Sequence, residues 1–133
     1  MSKKVFINGC FDVLHLGHIR LFKYAKTLGD HLVVALDTDD RVRALKGSER
    51  PFNRLEDRTE VMEALRPIDE VRSFGTDAEL TALIREVAPD VMIVGSDWRG
   101  KEIIGAKYAK KVIYFDRIHE YSTTKILKDI TGR

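Results

Sequence analysis

The chain has 133 residues, 44% of them hydrophobic and 33% charged, which is enough for one domain with its own core and ordinary for a water-soluble protein. Its 23 basic residues face 21 acidic ones, and a net charge of +2 gives no surplus that would favour a nucleic-acid partner. The single cysteine, Cys10, excludes an internal disulfide framework, the apolar run after Met1–Lys4 is too short for a signal peptide, and no run reaches the roughly 18 apolar residues of a membrane span, so a cytoplasmic protein is expected.

Lys4 to Asn8 (KVFIN) reads as a short strand ended by Gly9. Leu16 to Leu28 has helical spacing, with Ile19, Phe22, Tyr24, Ala25 and Leu28 on one face and Gly29 where a C-terminal cap belongs. His31 to Leu36 (HLVVAL) is nearly continuous in apolar residues, as a strand covered on both faces should be. Asp37 to Arg54 is polar, broken by Gly47 and Pro51, and reads as a long connection of the kind that often carries function. A helix is expected from Leu55 to Leu65, stopped by Pro67, then a strand from Asp69 to Phe74. Asp77 to Val87 reads as a helix capped by Thr76 or Asp77, and Asp90 to Gly95 as a buried strand. Glu102 to Ala109 reads as a short helix, Lys111 to Phe115 as a fifth strand, and Ser122 to Ile130 as a last helix capped by Ser122.

Strict alternation of buried strands and helices predicts an α/β fold: one Rossmann-like, doubly wound domain over residues 1–133 with a five-stranded parallel sheet. Ligands in such folds bind beyond the carboxyl ends of the strands.

Two stretches sit where such a ligand would lie. Gly9-Cys10-Phe11-Asp12 follows the first strand, and His15-Leu16-Gly17-His18 opens the first helix. Free N–H groups and the helix dipole attract an anion there. Two imidazoles about one turn apart can face the same way, and Gly17 between them leaves room for close approach. The pattern suits two donors gripping phosphate oxygens and stabilising charge that builds during phosphoryl transfer. A metal reading of the pair lacks further ligands, since no Cys cluster supplies them, so no resident metal site is assigned. A purely structural pair explains less of the position, the glycine and the histidines together.

The second stretch, Gly95 to Glu102 (GSDWRGKE), mimics a Walker loop but has Glu102 where Ser or Thr must hold magnesium. It reads instead as a ligand loop in which Trp98 stacks on a base or simply packs. No Gly-x-Gly-x-x-Gly or Gly-x-Ser-x-Gly occurs. Cys10 has no partner cysteine and reads as packing rather than as a nucleophile.

At His15-Leu16-Gly17-His18 the sequence resembles the small nucleotidyltransferases of the cytidylyltransferase family, whose signature is His-x-Gly-His. The likeness runs through NGCFDVLHLGH, LGDHLVVALDTDDRV, DRTEVMEALRPIDEV, VGSDWRGK and DRIHEYSTTKI, essentially the whole chain. It implies transfer of a nucleotidyl group from an NTP to a phosphorylated small molecule, by in-line attack of the acceptor phosphate on the α-phosphorus, with pyrophosphate released. It implies magnesium with the NTP, and a homodimer.

By the same resemblance His15, His18 and Lys46 are catalytic. Gly9, Cys10, Phe11, Asp12, Gly17, Gly95, Asp97, Trp98, Arg117, Ser122, Thr123 and Thr124 are nucleotide-binding, and Lys46 and Arg58 bind the acceptor. Lys46 and Arg58 also read as ordinary solvated charges, and Ser122 as a simple N-cap. Asp39 and Asp69 read as strand-end caps.

Two branches of the family fit. Glycerol-3-phosphate cytidylyltransferases are similar in length, in Gly-Ser-Asp-Trp-x-Gly-Lys and in an Arg placed as Arg117 is, although RIHEYSTT lacks their Glu-Gly pair. Adenylyltransferases of ADP-heptose synthesis are similar in NGCFD, LKGSERPFNRLEDR and EIIGAK. The expectation set by Arg117 and Trp98 is CTP with glycerol 3-phosphate. ATP with a heptose 1-phosphate is the alternative, and a non-catalytic nucleotide sensor is a reading from another class. A sensor would be expected to have lost a histidine or the Ser-Thr-Thr turn, and both are present.

Overall fold

The computed structural model describes residues 2–116 and 123–131. Its strands are β1 (Lys4–Gly9), β2 (His31–Asp37), β3 (Glu70–Phe74), β4 (Val91–Gly95) and β5 (Lys111–Phe115). They form a five-stranded, all-parallel sheet in the order β3-β2-β1-β4-β5. The helices are α1 (Leu16–Thr27), α2 (Asp39–Lys46), α3 (Leu55–Glu63), α4 (Asp77–Val87) and α5 (Thr123–Thr131). The expected doubly wound α/β architecture is present.

Period-two alternation in the central strands divides the core in two. Val5, Ile7 and Val34 face Phe22 and Ala25 of α1 and Met62 of α3. Phe6, Val33 and Ala35 face Leu80, Ile84 and Val87 of α4. Both faces of β1 and β2 are therefore covered, which is why these strands read as continuous apolar runs rather than alternating ones.

Three local expectations need correction. The segment after β2 is not a plain connection, because Asp39–Lys46 is helical. Thr38 caps it by accepting from the N–H of Arg41, Asp39 and Asp40 stand in the first turn, Arg43 and Lys46 in the last, and Gly47 follows at φ 105°. Only Val42 is buried, so the helix lacks the apolar stripe by which helices are found in a sequence.

The expected helix from Glu102 to Ala109 is reduced to one 3-10 turn, Ala106–Tyr108. Gly29 does not serve as a left-handed cap, since α1 closes at Leu28 in ordinary right-handed geometry. Its glycine is required because a Cβ there would lie 2.7 Å from the carbonyl oxygen of Lys3 at the entrance to β1. The cap at Thr76 is as expected, with its hydroxyl accepting from the N–H of Glu79 at 3.0 Å.

Candidate active site

A cavity of about 610 Å³ opens at the carboxyl ends of β1, β2 and β4. It lies where the sheet order reverses, between β1 and β4, as expected for a doubly wound fold.

His15 is the N-cap of α1, and the two histidines complete each other's hydrogen bonds. Nδ1 of His15 accepts from the N–H of Gly17 at 3.1 Å, and Nδ1 of His18 accepts from the N–H of His15 at 3.3 Å. An imidazole nitrogen that accepts carries no proton, so both rings are held as the tautomer with hydrogen on Nε2. The rings stack with centroids 3.8 Å apart, and Phe11 meets His18 edge-on at 5.3 Å. Both histidines line the cavity. The capping arrangement thus fixes two rings side by side, each with its Nδ1 engaged by a backbone N–H. Gly17 also lines the cavity, and its N–H is spent on His15.

Phe11 reaches His18 from a left-handed backbone, φ 48°, unusual for a bulky residue and of the kind concentrated at ligand sites. Gly9 makes this possible, because a Cβ there would stand 3.0 Å from the Phe11 ring. Cys10 is buried at the cavity wall. Burial pushes its thiol up, against the opposing pull of Lys46 and Arg58, so it stays protonated at neutral pH and packs as expected.

Two residues of the expected site have structural roles. The Asp12 side chain is fully buried and faces the following loop. Its oxygens accept from the N–H of Phe52 at 2.6 Å, the N–H of Asn53 at 2.7 Å and Nε of Arg50 at 3.1 Å. Asp12 therefore fastens the 47–54 loop to the end of β1, and it also lines the cavity as expected of a site residue.

Arg58, expected to hold the acceptor, is 1% exposed and does not line the cavity. Nε donates to Asn53 O, Nη1 to Cys10 O and Asp37 O, and Nη2 to the Asp39 carboxylate at 2.7 Å. One guanidinium thus ties the ends of β1 and β2 to the start of α3. Asp39 also accepts from the N–H of Leu55, and Asp69 accepts from the N–H of Leu32, so both are structural as expected.

Lys46, at the end of α2, lines the cavity and is exposed, as do Gly95 and the half-exposed Trp98 on the opposite wall. Asp97 shares the 3-10 turn with Trp98 but does not line the cavity. Arg117 and Ser122 lie outside the described residues. Thr123 and Thr124 open α5, and their side chains lie outside the described residues.

The structure adds two residues that the sequence did not single out. Asp37 and Arg41 line the β2 side of the cavity, joined by a 2.8 Å bond from Nε to the carboxylate. Their i,i+4 spacing and opposite charge were the available signal, hidden by reading the segment as a connection.

These features define an α/β domain with two stacked imidazoles at a cavity on the carboxyl side of its sheet. Residues 6–129 match the cytidylyltransferase-like family, and the chain belongs to that family of nucleotidyltransferases. It is 45% identical over 129 residues to the bifunctional protein HldE of Helicobacter hepaticus, covering 97% of this chain and 27% of that protein. It is 41% identical over 129 residues to the bifunctional protein HldE of Helicobacter pylori, covering 97% of this chain and 28% of that protein. The chain therefore spans little more than a quarter of the curated relatives it matches.

Among solved structures, the lipopolysaccharide core biosynthesis protein of Thermoplasma volcanium superposes with a TM-score of 0.70 at 27% identity, covering 87% of this chain and all of that one. A protein of unknown function from Archaeoglobus fulgidus shares the fold, with a TM-score of 0.62 at 21% identity over 90% of this chain and 93% of that one. Among the described residues, no helix is long and apolar enough to cross a membrane.

Proposed function

We propose that this domain transfers the adenylyl group of ATP to a sugar phosphate, a heptose 1-phosphate or a close relative, releasing pyrophosphate. The relatives support this branch over CTP and glycerol 3-phosphate, since the HldE proteins point to ADP-heptose formation. The observation that carries it to the site is the placement of the segment resembling that branch. Leu45 and Lys46 at the end of α2 and Arg50 in the loop after it line the cavity, and Asp12 clamps that loop. Arg117, one basis for the glycerol branch, lies outside the described residues.

In the proposed reaction an oxygen of the acceptor phosphate attacks the α-phosphorus. The new P–O bond forms as the bond to the bridging β-phosphate oxygen breaks, and pyrophosphate carries away the electron pair. The Nε2–H groups of His15 and His18 would donate to the α- and β-phosphate oxygens, where negative charge grows. Lys46 would bring its ammonium to the phosphates from the β2 side. The flat wall at Gly95 and Trp98 would take the base.

Magnesium would arrive with the triphosphate. Among the described residues no three His, Cys, Asp or Glu side chains gather to cage an ion, so phosphate oxygens and water would be its ligands. Self-association as a homodimer and a cytoplasmic setting belong to the same reading, and sedimentation equilibrium tests the former.

The decisive experiment measures pyrophosphate release with magnesium, offering ATP, CTP, GTP and UTP against heptose 1-phosphate and glycerol 3-phosphate. ATP with the heptose phosphate is the expected pair. Turnover confined to CTP and glycerol 3-phosphate would overturn the proposal. Tight nucleotide binding without turnover of any pair would favour the sensor reading.

A further inference from the structure

The two walls of the cavity differ in chemistry. The β4 wall is largely apolar, with Gly95, Trp98, Ile103 and Ile104. The β2 wall is polar, with Asp37, Arg41, Lys46 and Arg50. The histidine pair stands between them at the end of β1. A base suits the flat apolar wall, which leaves the β2 wall for the acceptor.

That wall contains a carboxylate, an unexpected group beside a phosphate site, where it repels what the site must bind. Asp37 is the last residue of β2, one step beyond the Leu36 that pairs with Gly9. Its side chain is only 15% exposed. One oxygen accepts from Nε of Arg41, whose Nη2 donates to Asp77 at the start of α4 and whose guanidinium lies 5.1 Å from the Phe74 ring centroid. Arg41 is thus fixed from three sides and holds the carboxylate at the cavity wall.

Lys46 and the buried Arg58 add positive charge nearby, which offsets repulsion of an acceptor phosphate. A carboxylate in such a place is a strong acceptor for neutral hydroxyl donors and a poor neighbour for a second anion.

Resting on the adenylyltransferase reading, we propose that Asp37, held by Arg41, accepts hydrogen bonds from hydroxyl groups of the acceptor sugar and so selects a polyhydroxylated acceptor. Vicinal hydroxyls also occur on the ribose of the nucleotide, and the kinetics separate the two sources. Asp37 touches substrate in this account, whereas Arg41 is a positioning residue.

The test is steady-state kinetics of the full chain with ATP and heptose 1-phosphate, for the wild type, Asp37→Ala and Asp37→Asn. Asp37→Asn keeps an oxygen for Arg41 and guards against a folding defect in the alanine variant. Loss of a hydrogen bond to a charged group should raise KM for the sugar phosphate about tenfold or more in Asp37→Ala, and less in Asp37→Asn. KM for ATP should stay within about twofold, since no nucleotide contact is removed.

Monodeoxy sugar phosphates supply a readout that a merely structural role would not move. At least one should be a poorer substrate than its parent for the wild type, and that difference should vanish in Asp37→Ala. A rise in KM for ATP alone would assign the carboxylate to the ribose and overturn the proposal. Equal loss for every substrate together with a lowered melting temperature would make Asp37 structural and also overturn it. If the wild type adenylylates no sugar phosphate, the adenylyltransferase reading falls and takes this inference with it. If it does so and both variants keep its sugar-phosphate KM, only this inference falls.

Discussion

The end of β1 and the end of β2 both face the cavity, yet they are built by opposite means. At β1 the groups proposed to act on phosphate are local: His15 caps its own helix, and His18 lies one turn on, bonded to the His15 backbone. At β2 the order comes from partners distant in sequence. Asp12 holds Phe52 and Asn53, and Arg58 holds Cys10, Asp37, Asn53 and Asp39. The first region is preorganised by helix capping, the second by buried charges that must find their partners. Substitution should therefore cost chemistry at one end and folding at the other.

The largest effect is expected at Arg58. Arg58→Met removes a fully buried guanidinium, takes the Arg58 ion pair from the Asp39 carboxylate and takes its bonds from the carbonyls of Cys10, Asp37 and Asn53. A loss of about 3 kcal/mol is expected, the lower end for a buried pair broken on one side, because the Asp39 side chain is 30% exposed. Urea denaturation would measure it, and an unchanged midpoint would show that the β2 end does not depend on this residue.

The sharpest contrast comes from His15→Asn. Asparagine is a strong N-cap, so its side-chain oxygen can keep the bond from Gly17 while the Nε2 donor is lost. Turnover should fall about a hundredfold at an almost unchanged melting temperature, the scale of removing one transition-state donor. Wild-type turnover in this variant would remove the histidine pair from the chemistry.

The smallest effect concerns pH and contrasts the two ends of the sheet. At the start of β3, burial works against the Asp69 carboxylate, but the Lys26 ammonium and the Leu32 N–H outweigh it and hold the group below its ordinary range. The His31 hydrogen bond, with help from Arg72, lowers Glu70 despite some burial. Groups lowered by folding stabilise the protein above their unfolded pKa and lose that contribution as pH falls through the folded value. Asp37, pushed up mainly by burial, has the opposite sign. Because Asp69 and Glu70 are about a third exposed, their contribution is modest. The melting temperature should be flat near neutrality and decline below about pH 4. Lys26→Met should flatten that decline, and an identical acid limb in the variant would rule Asp69 out as its source.

Much of this was legible in the residues. Continuous apolar runs marked strands buried on both faces, and their alternation with helical periods gave the parallel sheet. The histidines were legible because capping and i,i+3 spacing act within one turn of chain. The α2 helix was hidden, since a helix that buries one valine has no apolar stripe, although Thr38, the acidic first turn and Gly47 were visible cues. Gly29 looked like a cap because a glycine near a helix end commonly is one, and only the packing revealed Lys3 beside it.

Sequence alone therefore determined the sheet class, through the alternation of apolar runs and helical periods, and the nucleotidyltransferase family, through resemblance in motifs such as His15-Leu16-Gly17-His18. Tertiary structure alone decided that Arg58 and Asp12 are fasteners and that Asp37 and Arg41 form a cavity wall. A charged side chain carries no mark of whether it will meet solvent, substrate or a carbonyl 48 residues away, as Arg58 meets Cys10. That choice is made by burial, when the fold removes water and each charge must be satisfied by whatever the chain has brought beside it.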